Sequence, residues 1–236
     1  MTPLNKNGRI LYEGPSVLDG KPIVVIAVGF TQRSKNEKTG GMIQIYILRQ
    51  DVHPVIAFRG DEQQSVCGLC PHHLNKTCYV NWGQGPAAVW KCYQRGGYAP
   101  IGNEWSLFNG AVVRCGSAGD PCAAPEHVWQ PVLERSARRT GYTHQWREPH
   151  GQWAKGLLQA SCDSPEEYQT AINSGWQPFF VLPVGYAIPA GAVHCAASAE
   201  RGKKTTCEKC CLCDGSKAPV VIHGHGRAKK RIQFAN

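Results

Sequence analysis

At 236 residues the chain is long enough to bury a substantial core, and one domain with small appendages is the default expectation. Hydrophobic residues make up 42% of it and charged residues 18%, which excludes a disordered or fibrous polymer. The net charge of +9 attracts polyanions without selecting one, so nucleic-acid binding and a merely basic surface are both open.

Residues 1–40 read as an N-terminal extension and linker: a Pro- and Gly-punctuated start, an apolar strand at Ile23–Val28, then the polar, Gly-rich TQRSKNEKTGG. Residues 41–236 read as the main α/β metal-binding domain, with a cysteine-rich segment at 195–215. MIQIYILR (Met42–Arg49) and HPVIAFRG (His53–Gly60) are rich in β-branched residues and predict two strands. The first cysteine cluster then falls in a loop after a strand. In GQGPAAVWKCYQRGGY, Pro86 suits a first helical turn, Val89, Trp90 and Tyr93 share a face, and Gly96 suits the stop. Gly110–Gly116 predicts a short apolar strand, and Pro125–Arg139 a helix that Pro131 must kink or restart.

TGYTHQW and GLLQASC predict two further strands. DSPEEYQTAINSGW is the clearest helix: Ser164 and Glu167 have capping-box spacing, Pro165 fits the first turn, and Gly175 fits the stop. WQPFFVLPVG and APVVIHG supply the last strands. Strands alternating with helices indicate βαβ units. The expected fold is therefore α/β, a partial or open TIM-barrel-like sheet of about six mainly parallel strands, with metal-binding cysteine-rich loops.

No run approaches the roughly 18 apolar residues of a membrane helix. Ile23–Phe30 is too short and too far along the chain for a signal peptide. The expectation is a cytoplasmic protein without membrane contact, in a compartment that keeps thiols reduced. Its 12 cysteines then point to metal or redox chemistry before disulfides.

Cys207, Cys210 and Cys213 form C-x2-C-x2-C, with Cys195 as a candidate fourth ligand and Cys211 as an adjacent competitor. Thiols at such gaps let a tight loop wrap an iron–sulfur cluster; zinc, which more often takes separated pairs, is the alternative. Lys203, Lys204 and Lys209 would offset a cluster's negative charge. Cys67, Cys70 and Cys78 form C-x2-C-x7-C, and His72, His73 and Cys92 compete as a fourth ligand. With one of them the site is closed and structural; without one, a metal stays open to a small molecule. An ordinary turn with solvated imidazoles also explains PHH.

GSAGDP (Gly116–Pro121) follows a strand and precedes a helix. Gly116 and Gly119 allow close backbone approach to a ligand, and Asp120 can receive an ammonium or hydroxyl group. Ligands of α/β folds gather beyond the C-terminal ends of the strands, which places His144, Gln145 and Trp146 on the same rim. A plain turn accounts for GDP equally well. HGHG (His223–Gly226) is a weaker rim candidate, and the RAKKR beyond it reads as a solvated tail or a phosphate contact.

TGGMIQIYILR, CGLCPHH, CYVNWGQGPAAVW, GDP, GYTHQW and TTCEKCCLCDG together resemble a group of cysteine-rich bacteriophage and prophage proteins, from about Lys38 onward. That resemblance implies a phage or prophage origin and a bacterial host cytoplasm. A three-cysteine loop after an early strand, followed by a Gly-rich acidic loop after the next, is also similar to the radical S-adenosylmethionine enzymes. This second resemblance implies that Cys67, Cys70 and Cys78 hold a [4Fe–4S] cluster whose open iron binds S-adenosylmethionine. It further implies that Gly119 and Asp120 contact the cofactor's amino group and that Cys195, Cys207, Cys210 and Cys213 hold an auxiliary cluster. The chain departs from that superfamily's usual C-x3-C-x2-C spacing and has Asp where Glu is usual. A zinc- or cluster-stabilised module that binds nucleic acid or a host protein is the alternative.

Overall fold

The computed structural model describes residues 4–60, 62–202, 205–224 and 229–234. Lys203, Lys204 and residues 225–228 of the basic tail lie outside them. Ten strands form one sheet: β1 (Gly8–Pro15), β2 (Pro22–Val28), β3 (Ile43–Arg49), β4 (Ala99–Pro100), β5 (Val112–Ala118), β6 (Arg138–Thr143), β7 (Gln159–Cys162), β8 (Pro178–Leu182), β9 (Val193–His194) and β10 (Val220–His223). Their order is β4-β1-β2-β3-β5-β6-β7-β8-β10-β9, with two free edges, so the sheet is open. From β3 onward every neighbour pair is parallel; β1, β2 and β3 pair antiparallel.

The fold class is thus α/β and mainly parallel, with ten strands where about six were expected. The surplus has a physical origin. The two-residue strands β4 and β9 carry no periodic pattern. β1 is bracketed and interrupted by Gly and Pro, and its register shifts between Ile10 and Tyr12. Residues 8–28, expected within an extension, form a hairpin that shares the sheet and its core. Ser16 and Lys21 close its turn with a 2.8 Å backbone bond.

Seven α-helices were found among the described residues: α1 (Pro54–Arg59), α2 (Gln64–Cys67), α3 (Pro71–Leu74), α4 (Gly85–Gln94), α5 (Glu126–Arg135), α6 (Pro165–Asn173) and α7 (Cys207–Cys210). α1 replaces the strand expected at His53–Gly60. His53 Nδ1 accepts the Val55 N–H, Pro54 opens the first turn, and Gly60 N–H closes on the Ile56 carbonyl. Capping therefore outweighs the β preference of Val55 and Ile56. α5 runs through Pro131, because Val128, Trp129 and Val132 are buried around it and Trp129 Nε1 donates to the Pro121 carbonyl at 2.9 Å.

The strands have two unlike faces. Ile43, Ile45, Ile47, Val113, Cys115, Ala160, Cys162 and Phe180 join the main core, which also holds Val128, Trp129 and Trp146. The intervening Gln44, Tyr46, Arg114, Tyr142, Phe179 and Val181 line a cavity on the other side. Cys115 and Cys162 are thereby small core residues.

α6 is anchored by its expected capping box. Ser164 Oγ accepts the Glu167 N–H at 3.2 Å, and Glu167 Oε2 accepts the Asp163 N–H at 2.8 Å. Ser164→Ala should lower unfolding stability by about 1 kcal/mol, read as an earlier urea midpoint with an unchanged slope.

Candidate functional site

A cavity of about 380 Å³ opens at the C-terminal ends of β5 and β6. Cys67, Cys70 and Cys78 line it, together with Gly116, Gly119, Asp120 and His144. The first cysteine cluster and all four candidate cofactor contacts named from sequence therefore share one chamber. Cys67 ends α2 and Cys70 precedes α3, whose first residue is Pro71. The Cys78 N–H donates to the His72 carbonyl at 2.9 Å, which folds the long C-x7-C spacer back toward the pair.

None of the three competing fourth ligands faces this chamber unoccupied. His72 uses both ring nitrogens, Nδ1 at 2.9 Å from Thr77 Oγ1 and Nε2 at 2.8 Å from Asp163 Oδ1. His73 is buried against the Phe58 ring at 5.7 Å. Cys92 packs toward Asn5 and Tyr98. Among the described residues, no group of three or more His, Cys, Asp or Glu side chains is gathered to hold a single metal ion.

Burial, and then the neighbouring Cys70 and Cys78 sulfurs, push the Cys67 thiol well above its ordinary pKa. Burial chiefly raises Cys78 to about 11. Such thiols stay protonated and inert unless a cation enters and displaces the proton.

The Gly-rich loop is held against the cysteine segment by its backbone. Gly116 and Gly119 have φ of +74° and +82°. A Cβ on Gly119 would sit 2.5 Å from the Ile47 carbonyl oxygen, so only glycine fits there. The Asp120 N–H donates to the Val66 carbonyl at 2.6 Å, beside Cys67. Asp120 Oδ1 accepts from Cys122 N–H at 2.9 Å and Oδ2 from His144 N–H at 2.8 Å. Burial raises its carboxyl pKa. Asp120 thus organises the rim: it accepts from two backbone donors and from the Thr143 side chain, and keeps part of its acceptor capacity for a ligand.

A second carboxylate joins the cysteine segment to the strand ends. Asp163, just past β7, meets His144 Nε2 at 2.9 Å through Oδ2 and His72 Nε2 at 2.8 Å through Oδ1. Desolvation opposes the Asp163 charge, but the two histidines outweigh it and depress the carboxyl pKa. For His144, burial opposes the charge, while Cys70 and Asp163 raise its pKa well above the usual imidazole value. No local pattern announces this tie, since residues 72, 144 and 163 meet only through the fold.

Cys195, Cys207 and Cys213 are buried together beside Phe179, Val220 and Ile222. Burial raises Cys207 and, more strongly, Cys213, and the sulfurs of Cys195 and Cys210 act on both. The adjacent Cys211 is set apart: in a left-handed conformation, it turns its sulfur to the Cys207 and Glu208 carbonyls. This loop is stitched to residues 38–41 by Cys207 N–H to Lys38 O at 2.8 Å and by Gly41 N–H to Glu208 Oε2 at 2.8 Å. Arg114 lines the cavity with the first cysteine group and is near Cys207 and Cys213 of the second, with Nη2 donating to the Tyr79 hydroxyl at 2.8 Å. Arg114, Tyr79 and Gln44 escaped the sequence reading; the available signal was a charged residue inside the apolar run AVVRC.

Comparison with protein-family models, curated proteins and solved structures returned no match. Among the described residues no helix is long and apolar enough to cross a membrane.

The Asp163 tie has a pH signature. Unfolded, its carboxyl titrates at about 3.9; folded, it titrates lower. Its contribution is therefore complete above about pH 4 and is lost as pH falls below that. Asp163→Asn should cost about 3 kcal/mol near neutrality and should flatten the acid limb of stability against pH, measured by urea unfolding at each pH.

Proposed function

We propose that this is a phage-type enzyme that carries a [4Fe–4S] cluster on Cys67, Cys70 and Cys78 and binds S-adenosylmethionine beside it, in the manner of the radical S-adenosylmethionine enzymes. The observation that supports this reading is the convergence of three cysteines and the Gly116–Asp120 loop on one cavity at the strand ends. The engagement of His72, His73 and Cys92 elsewhere fits a three-thiolate site without a fourth protein ligand. A cluster distributes its thiolates over several irons, so it does not need three ligands drawn about one ion.

Bound there, the cluster supplies an iron free of protein ligands and a one-electron reductant for the cofactor. The chain's own residues bind and orient. Gly116 and Gly119 let the loop turn tightly against Pro121 and Ile47, where a Cβ would clash, and so set its backbone at the cavity. Asp120, pinned by two backbone N–H donors, offers its remaining lone pairs to an ammonium group. Asp163 fixes the His144 and His72 rings beside Cys70, which keeps the cysteine segment in register with the strand ends. Cys195, Cys207, Cys210 and Cys213 form the second proposed metal site, for an auxiliary cluster.

Protein purified anaerobically should be brown, absorb near about 400 nm, and contain iron matched by acid-labile sulfide. Cys67→Ala or Cys78→Ala should remove the first cluster's iron and sulfide, whereas Cys92→Ala should keep them. S-adenosylmethionine should perturb the EPR spectrum of the reduced protein. Colourless protein with stoichiometric zinc would replace this reading with a zinc-stabilised module acting on nucleic acid or a host protein. Iron–sulfur protein indifferent to the cofactor would reject the enzyme alone.

A further inference from the structure

Two arginines of this sheet are almost completely buried, and the fold treats them differently. Arg49 at the end of β3 is 5% exposed. It is neutralised by Asp51 at 2.9 Å, with Glu62 at 3.6 Å. Arg114 in the middle of β5 is 7% exposed, yet among the described residues no carboxylate pairs with it. Its one hydrogen bond to a described residue goes to the neutral Tyr79 hydroxyl. Asp120, which also lines the cavity, accepts from backbone N–H groups and forms no ion pair with Arg114.

We propose that Arg114, assisted by Lys38, forms an oxyanion subsite in the cavity and takes the carboxylate or phosphate group of a small-molecule ligand. Both side chains line the chamber that holds the three cysteines and the Gly-rich loop. A guanidinium keeps its charge under all physiological conditions, and burying that charge without an anion is unfavourable. Its planar fork of donors matches a carboxylate or phosphate through two parallel hydrogen bonds. The fork is held in place. β5 pairs Arg114 directly with Gln44 of β3, Tyr79 takes Nη2, and the Tyr142 ring centroid lies 5.9 Å from the guanidinium carbon. Arg114 shares the cavity lining with the apolar Tyr142, Phe179 and Ile222, and in such low-dielectric surroundings a charge-assisted bond is strong.

The subsite is built from this chain's own side chains, and what the cysteines hold is read separately. Its oxyanion can come from a substrate or from the methionine carboxylate of the proposed cofactor. The test uses the full chain, purified anaerobically, with melting temperature followed during titration with inorganic phosphate or succinate while chloride holds ionic strength constant. Both anions should raise the melting temperature saturably. Arg114→Gln should abolish the rise, Arg114→Lys and Lys38→Gln should weaken apparent affinity about tenfold, and Arg135→Gln, on the exposed end of α5, should leave it unchanged.

Comparison of S-adenosylmethionine with its decarboxylated form then separates the sources. A preference for the carboxylate that disappears in Arg114→Gln assigns the subsite to the cofactor; equal binding of the two forms, with phosphate still bound beside them, assigns it to the substrate. Absence of saturable anion binding in the native protein overturns the proposal. So does unaltered binding in Arg114→Gln, or, if that variant does not fold, in both Arg114→Lys and Lys38→Gln. Loss of iron and sulfide from Arg114→Gln with anion binding intact also overturns it, by making Arg114 the counter-charge of the second cysteine group. Iron content is read separately, so failure of the cluster reading and failure of the subsite are distinguishable.

Discussion

Along β3 and β5, alternate residues point to opposite faces of a parallel sheet, and the site depends on keeping that alternation in register. Ile43, Ile45, Ile47, Val113 and Cys115 enter the core, which fixes Gln44, Tyr46 and Arg114 on the cavity side. A slip of one residue would bury the guanidinium under α5 and expose the isoleucines. The core therefore protects the cavity's chemistry, even though none of its members touches a ligand. Gly119 adds a second constraint at the strand end, where its backbone lies against Ile47 and leaves no room for a Cβ.

Charge inside the cavity is divided along its length. The strand-end rim carries Asp120, the three thiols and the His72 and His144 imidazoles, which Asp163 backs. Deeper along the strands stand Arg114 and the phenols of Tyr79 and Tyr142. A ligand with an ammonium group at one end and an oxyanion at the other meets complementary partners at both. The guanidinium acts electrostatically on the second cysteine group, through Cys207, and shares the cavity with the first.

Features with a local cause were legible in the sequence. The Ser164–Glu167 box, the proline that opens α4, and the glycine-rich turn after β5 each follow from a few adjacent residues, and each appears where expected. α1 was misread because β-branched Val55 and Ile56 look like a strand until His53 and Pro54 cap them. Pro131 suggested a break, but tertiary burial of Trp129 and Val132 carries the helix through. The Asp163 tie and the Arg114 position were invisible for another reason: their meaning lies in partners drawn from separate strands, and a single strand's pattern does not encode its neighbour. The rule for ligand position in α/β sheets anticipated His144 on the rim of Gly116, Gly119 and Asp120, whereas Cys67, Cys70 and Cys78 were joined to that loop only through the resemblance to the radical S-adenosylmethionine enzymes.

The stitching of residues 38–41 to the Cys207 loop also bears on how the molecule is made. Gly41 and its carboxylate partner Glu208 are 167 residues apart. On a ribosome adding about 5–20 residues per second, Lys38 and Thr39 wait on the order of ten seconds or more before the segment that pins them exists. Until then one wall of the cavity is untethered, while the first three cysteines and the strand that bears Arg114 have already emerged. The chamber is therefore completed late in synthesis, and any group that must be inserted into it has an interval of open access during the birth of each chain.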